Sequence, residues 1–189
     1  MEIQKSDRRI RKTQALLRKN LTQLLKEKEL KNISVSELTQ RADINRSTFY
    51  LHYKDIYDLF EQIENEAMEG FMGIITKYRH QGLMPLTPIM LELFQYISSN
   101  ADIFIAILNN KESTFLEKVL ETNRPKNKKE WEVLLPTGKE EYYEYYYVFF
   151  TSGCIELIRC WFNNGMRESA RQIAELAERL MGNSIKDLA

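Results

Sequence analysis

The stretch Ser34 to Tyr53, "SVSELTQRADINRSTFYLHY", decides how the N-terminal part of this 189-residue chain is read. It opens with Ser34 three residues ahead of Glu37, the spacing of a capping box in which each side chain meets the other residue's backbone N–H. Val35, Leu38 and Ala42 share one side of the helix so begun, which is about two turns long. It stops at Ala42-Asp43, where Asp tolerates the left-handed backbone that a tight turn needs. Asn45 then caps a second short helix running to about His52. That helix crowds an Arg, an Asn, two hydroxyls, two tyrosines and a histidine around one Phe and one Leu. A helix that only packs a core would not carry so many hydrogen-bonding tips. One that only faces water would not carry Phe49, Tyr50 and Tyr53.

Two short helices joined by a four-residue turn, Asp43 to Arg46, have helix-turn-helix geometry, whose second helix enters the DNA major groove. The motif spans about residues 31–50. Ile44, Phe49 and Tyr53 are expected to lock the second helix to its neighbours. Asn45, Arg46 and Ser47 are expected at base edges, Arg46 best toward guanine O6 and N7. Thr48, Tyr50 and His52 offer donors to phosphate oxygens, with Ser36 and Lys54 as further phosphate candidates. Upstream, Ile10, Leu16, Leu17, Leu21, Leu24 and Leu25 keep helical spacing from about Asp7 to Lys28. The cluster Arg8, Arg9, Arg11 and Lys12 begins that helix, and Arg9, Lys12 and Thr13 are expected at phosphates; Arg18 and Lys19 read as solvated. Charge agrees with this division. Met1–Lys54 carries a net +7 and the remainder −7, although the whole chain is neutral. A basic head on an acidic body fits a polyanion at one end only.

Further along, helices are expected from Asp55 toward Tyr78, then at Pro88–Ser99, Ala101–Asn109 and Ser113–Thr122. An irregular stretch covers 123–141. A long helix follows, Lys139–Asn164, stopped by "NNG", and a last one, Glu168–Met181. The aromatic run Tyr142–Phe150 is apolar almost all round a helix, so it is buried on more than one side. One reading faces it to a core and a twin subunit, with Tyr146, Phe150 and Gly153 meeting Ala170, Ile173, Ala174 and Ala177 of the last helix. The other lines a ligand cavity, for which Phe71, Phe94, Phe104 and Tyr145 are candidates. Glu156 and Arg159 have the spacing of an ordinary helix ion pair.

Other functions find little support. The two histidines, His52 and His80, suggest no metal set, and there is no phosphate loop or nucleophile elbow, so neither an enzyme nor a cofactor is expected. Glu61, Glu64 and Glu69 read as a solvated helix face. Cys154 and Cys160 read as buried small hydrophobes rather than a disulfide. The longest apolar runs fall far short of the roughly 20 residues that span a bilayer. The polar N-terminus shows no secretory signal, which makes the cytoplasm the expected compartment.

The stretch "ISVSELTQRADINRSTFYLHYKDIYDLF" resembles the DNA-binding region of the TetR family of bacterial regulators. The match runs from about Arg8 to Phe60, with Thr48-Phe49-Tyr50, His52 and Tyr53 in register with Val35 and Ala42. Asp43 stands where the family usually has Gly. Ile56 stands where Lys often opens the next helix, and Lys54 is the candidate to take its place at phosphate. "YYYVFFTSGCIELIRCWFNNGMRESARQIAEL" is similar to the terminal helices of the branch containing the dihydroxyacetone-kinase operon activator. The resemblance implies an all-α protein with a three-helix DNA-binding domain at 8–68 and a helical dimerisation and effector domain at 69–189. It implies a homodimeric repressor on a palindromic operator, released by a small effector. The alternatives are an activator working through a protein co-regulator, and a helical interaction or ligand-binding module without an operator.

Overall fold

The computed structural model describes residues 2–80, 86–125 and 140–186, with side-chain surroundings for 8–79, 87–125 and 140–181. Among them all regular structure is helical: α1 (Glu2–Leu25), α2 (Val35–Arg41), α3 (Arg46–Tyr50), α4 (Ile56–His80), α5 (Leu86–Ser99), α6 (Ala101–Asn109), α7 (Phe115–Asn123), α8 (Tyr143–Asn163) and α9 (Ala170–Lys186). The all-α expectation holds. Most of the irregular stretch expected between α7 and α8, residues 126–139, lies outside the described residues.

The chain forms two compact units, Met1–Ala67 with Asp102–Ser113, and Met68–Ala101 with Thr114–Ala189. The division falls inside α4. The first unit also takes in a segment that the sequence reading assigned to the second domain. Its ties are specific. Lys26 pairs with Asp102 at 2.6 Å, Lys111 with Glu29 at 3.4 Å, and the Ser113 hydroxyl donates to Glu64 at 2.6 Å. Phe104 and Ile107 of this segment are fully buried, as are Leu17, Leu21, Leu38 and Phe49 of the head. Glu64 is only 3% exposed, so the expectation of a solvated carboxylate is corrected. Arg18 was also read as solvated; its guanidinium instead forks onto both carboxylate oxygens of Glu66. Such pairs join residues 48 or more apart in the chain, beyond the reach of helical periodicity.

In the second unit α9 lies along α5, with further contacts to α8. The small side chains of Ala174 and Ala177, each 1% exposed, make that approach close, and Ile173 beside them is 5% exposed within the single chain. Phe150 is buried too, clustered with Tyr143, Tyr146 and Met181. This corrects their assignment to a twin-subunit interface, because their side chains already fill the chain's own core. Gly153 is exposed, and a Cβ there would meet nothing within 4 Å; Tyr146 and Ala170 are half-buried. The aromatic helix does carry surplus apolar surface, on another face. Tyr142, Tyr145, Val148 and Phe149 stand exposed, Tyr145 at 74% and Phe149 at 68%. Cys154 is half-buried and Cys160 exposed, against the expectation that both are interior. Burial pushes the Cys154 thiol up to about 11. The Glu156–Arg159 ion pair forms as expected, and α8 stops at Asn163, with Gly165 and Met166 turning left-handed.

Gly70 and Gly73 share α4 but differ in surroundings. A Cβ on Gly70 would collide with the Tyr96 ring and hydroxyl, whereas one on Gly73 meets open space. Gly73→Ala should stabilise by ~0.5–1 kcal/mol through helix propensity. Gly70→Ala should destabilise, since an overpacking cost of ~1–3 kcal/mol exceeds that gain. Urea unfolding of the two variants measures both signs.

Candidate nucleic-acid interface

The head's geometry begins with the turn between α2 and α3. The Ser34 hydroxyl accepts from the Glu37 N–H at 3.1 Å and starts α2. The reciprocal half of the capping box is absent, because the Glu37 carboxylate pairs with Lys28 instead. Asp43 turns the chain with φ 52°, the left-handed conformation expected of it, and the Ile44 N–H reaches back to the Thr39 carbonyl at 2.9 Å. Asn45 caps α3, its side-chain oxygen accepting from the Ser47 N–H and the Ser47 hydroxyl, both at 2.9 Å.

Burial then orients α3. Phe49 is 0% and Tyr53 1% exposed, their ring centroids 5.6 Å apart. Tyr50 lies edge-on to Phe49 at 5.4 Å but remains half exposed. With the apolar anchors inward, Asn45, Arg46 and Ser47 all face solvent. Among the described residues nothing pairs with Arg46. Asn45 has its acceptor engaged in the cap, which leaves its amide N–H groups as the free recognition atoms. A two-point contact with adenine needs both donor and acceptor, so the cap removes that option. Sequence reasoning placed Asn45 both as cap and as base contact without this conflict being visible.

The phosphate candidates are dispersed over three helices. Arg9 and Lys12 are exposed and Thr13 half-buried on α1; Ser36 is exposed on α2. Thr48 and His52 are half-buried, Tyr50 and Lys54 exposed. The Lys54 backbone N–H donates to Asp58 at 2.8 Å, and the Gln62 amide supports the same carboxylate at 3.1 Å. The Lys54 N–H bond and then the Gln62 bond hold the Asp58 carboxyl below its ordinary range. Asp58 thereby fixes the backbone that carries Lys54, a role that sequence reasoning missed.

Ion pairing sorts the head's positive charge. Arg18, Lys26, Lys28, Lys31 and Arg41 are each matched by a carboxylate. No ion pair engages Arg8, Arg9, Lys12, Arg46 or Lys54 among the described residues. Apart from Lys19 midway along α1, the uncompensated charge therefore sits at the start of α1 and around α3. Of the aromatic candidates for a ligand cavity, Phe71 and Phe94 are buried in the second unit and Phe104 in the first. Tyr145 points outward, so it lines no interior site. No group of three or more His, Cys, Asp or Glu is arranged for a metal among the described residues.

Residues 85–183 match the TetR-type family model described as "Transcriptional regulator C-terminal region". A 57-residue stretch is 28% identical to the uncharacterized HTH-type transcriptional regulator YxbF of Bacillus subtilis (strain 168), covering 30% of this chain and 15% of that protein's length. In fold the chain resembles a TetR transcriptional regulator from Streptococcus agalactiae 2603V, with TM-score 0.64 and 18% identity over 95% of this chain and 98% of the other. It also resembles the fatty acid degradation regulator FadR from Bacillus halodurans, with TM-score 0.65 and 11% identity over 89% and 94%. The dihydroxyacetone kinase operon activator DhaS gives TM-score 0.58 and 19% identity over 93% and 97%. At these identities the structural likeness is one of fold.

The capping geometry separates two neighbouring side chains by experiment. Asn45→Ala should cost ~0.5–2 kcal/mol of stability through the lost cap. Arg46→Ala, exposed and unpaired, should stay within ~0.5 kcal/mol of the parent. Chemical denaturation of the two proteins checks the contrast.

Proposed function

Because the chain belongs to the TetR family of transcriptional regulators, we propose that it binds a palindromic DNA operator as a homodimer and represses adjacent genes. The observation that carries this reading is α3: its apolar anchors are buried, while Arg46, exposed and unpaired among the described residues, starts the helix beside further exposed polar side chains. Arg46 is the residue assigned to a guanine edge. Arg9, Lys12, Tyr50 and Lys54 are assigned to phosphates, where they fix orientation without reading sequence.

The exposed band Tyr145–Phe149 on α8, preceded by Tyr142 at its N-cap and continued by Gly153, supports pairing with a second copy. A two-fold axis there lets the same surface meet itself, and it presents two recognition helices to two half-sites. An effector releases such a dimer only if it binds one arrangement of the heads more tightly than the other.

Electrophoretic shift against DNA upstream of the chain's own gene tests operator binding. With roughly 6–10 phosphate contacts per dimer, affinity should fall ~10³–10⁵-fold between 50 and 200 mM salt. Binding indifferent to salt would exclude the basic head as the contact surface.

Dimerisation has its own test. Phe149→Glu places a carboxylate on the exposed band without touching the α5–α9 core. Sedimentation should then show monomers, where the parent buries at least ~2,000 Å² in an obligate pair. Operator affinity should fall with it because the half-sites are no longer linked. A dimeric Phe149→Glu protein with unchanged affinity would move the interface elsewhere.

A further inference from the structure

Leu51 is the most exposed large apolar side chain among the described residues, at 79%. Single exposed leucines are common on protein surfaces. Its position sets this one apart. Leu51 closes α3 in right-handed helical conformation, φ −72° and ψ −20°, and the His52 and Tyr53 N–H groups continue the turn by bonding to the Phe49 carbonyl. Helical spacing therefore holds from Arg46 past Leu51. At about 100° per residue, Ser47 and Leu51 both fall within roughly 20° of the direction opposite the buried Phe49. They form the outermost ridge of the helix. Ser47 turns its hydroxyl proton back to Asn45 at 2.9 Å. The ridge thus ends in an isobutyl group.

A helix docked by that face brings Leu51 to the groove floor. Among the base edges of the major groove, the apolar feature is the C5-methyl of thymine; the others are hydrogen-bond donors and acceptors. We propose that Leu51 is a specificity-determining residue, seated against a thymine methyl, and that it reads a base pair separate from the one read by Arg46. This rests on the operator-binding reading above. Set against any other base pair, the isobutyl group covers polar edges and removes their water without replacing it.

The test uses the full-length protein and duplexes it selects from a randomised library, so that no operator need be known beforehand. Each thymine in the selected consensus is replaced in turn by deoxyuridine, which deletes only the methyl. One symmetry-related pair of positions should weaken the parent about fourfold per half-site, the factor carried by burying one methyl group. Leu51→Ala should respond less than twofold at that position and keep the parent's response elsewhere. Leu51→Met, apolar and of similar size, should retain the sensitivity. Full deoxyuridine sensitivity in Leu51→Ala, or no sensitive thymine in the parent, overturns the assignment while operator binding stands. Failure to select any consensus overturns operator binding itself.

Discussion

Burial of Phe49 and Tyr53 fixes the direction in which α3 faces. Both rings are sealed in the head, one helical turn apart, and they hold a helix only five residues long that has little stability of its own. Rotation from those anchors puts Ser47 and Leu51 opposite Phe49 and leaves Tyr50 half covered, while Arg46 is exposed as the first residue of the helix. The Asn45 cap and the left-handed Asp43 set where the helix begins and how the chain enters it. Recognition chemistry in this head is thus a by-product of packing.

Charge is organised by the same economy of position. Five basic side chains of the head are matched by carboxylates, two of which, Glu66 and Asp102, come from far along the chain. These exposed and half-exposed pairs contribute little stability each. Their larger effect is on the field, since they leave the uncompensated positive charge, Lys19 apart, at the start of α1 and in the surroundings of α3. Glu64 is a different case. It is buried, accepts the Ser113 hydroxyl, and fastens the segment after α6 to α4.

Much of this was legible in the sequence where the governing interaction is local. The Ser34 cap, the Asp43 turn, the Asn45 cap, the α6 boundaries and the stop after Asn163 each depend on residues within a few positions of one another. What stayed hidden depends on partners distant in the chain. Arg18 and Glu64 looked solvated because periodicity cannot reveal Glu66 or Ser113 beside them. The stripe of Ile173, Ala174 and Ala177 was visible as a stripe, but its partner, α5 of the same chain, was not. Glu37 shows the limit of even a local rule: Lys28 competes successfully for the carboxylate that a capping box needs.

The exposed aromatic band on α8 has a consequence for how such a chain persists in a cell. Tyr145 and Phe149 follow the head in the chain, so they leave the ribosome when the head can already have formed. Until a matching surface covers them, these rings are accessible to chaperones and proteases. Where the covering surface is a second copy, as proposed above, the protected fraction rises by mass action with the amount of chain already made. Steady-state abundance of such a dimer is a nonlinear function of synthesis rate, and a scarce protein is removed faster than a plentiful one.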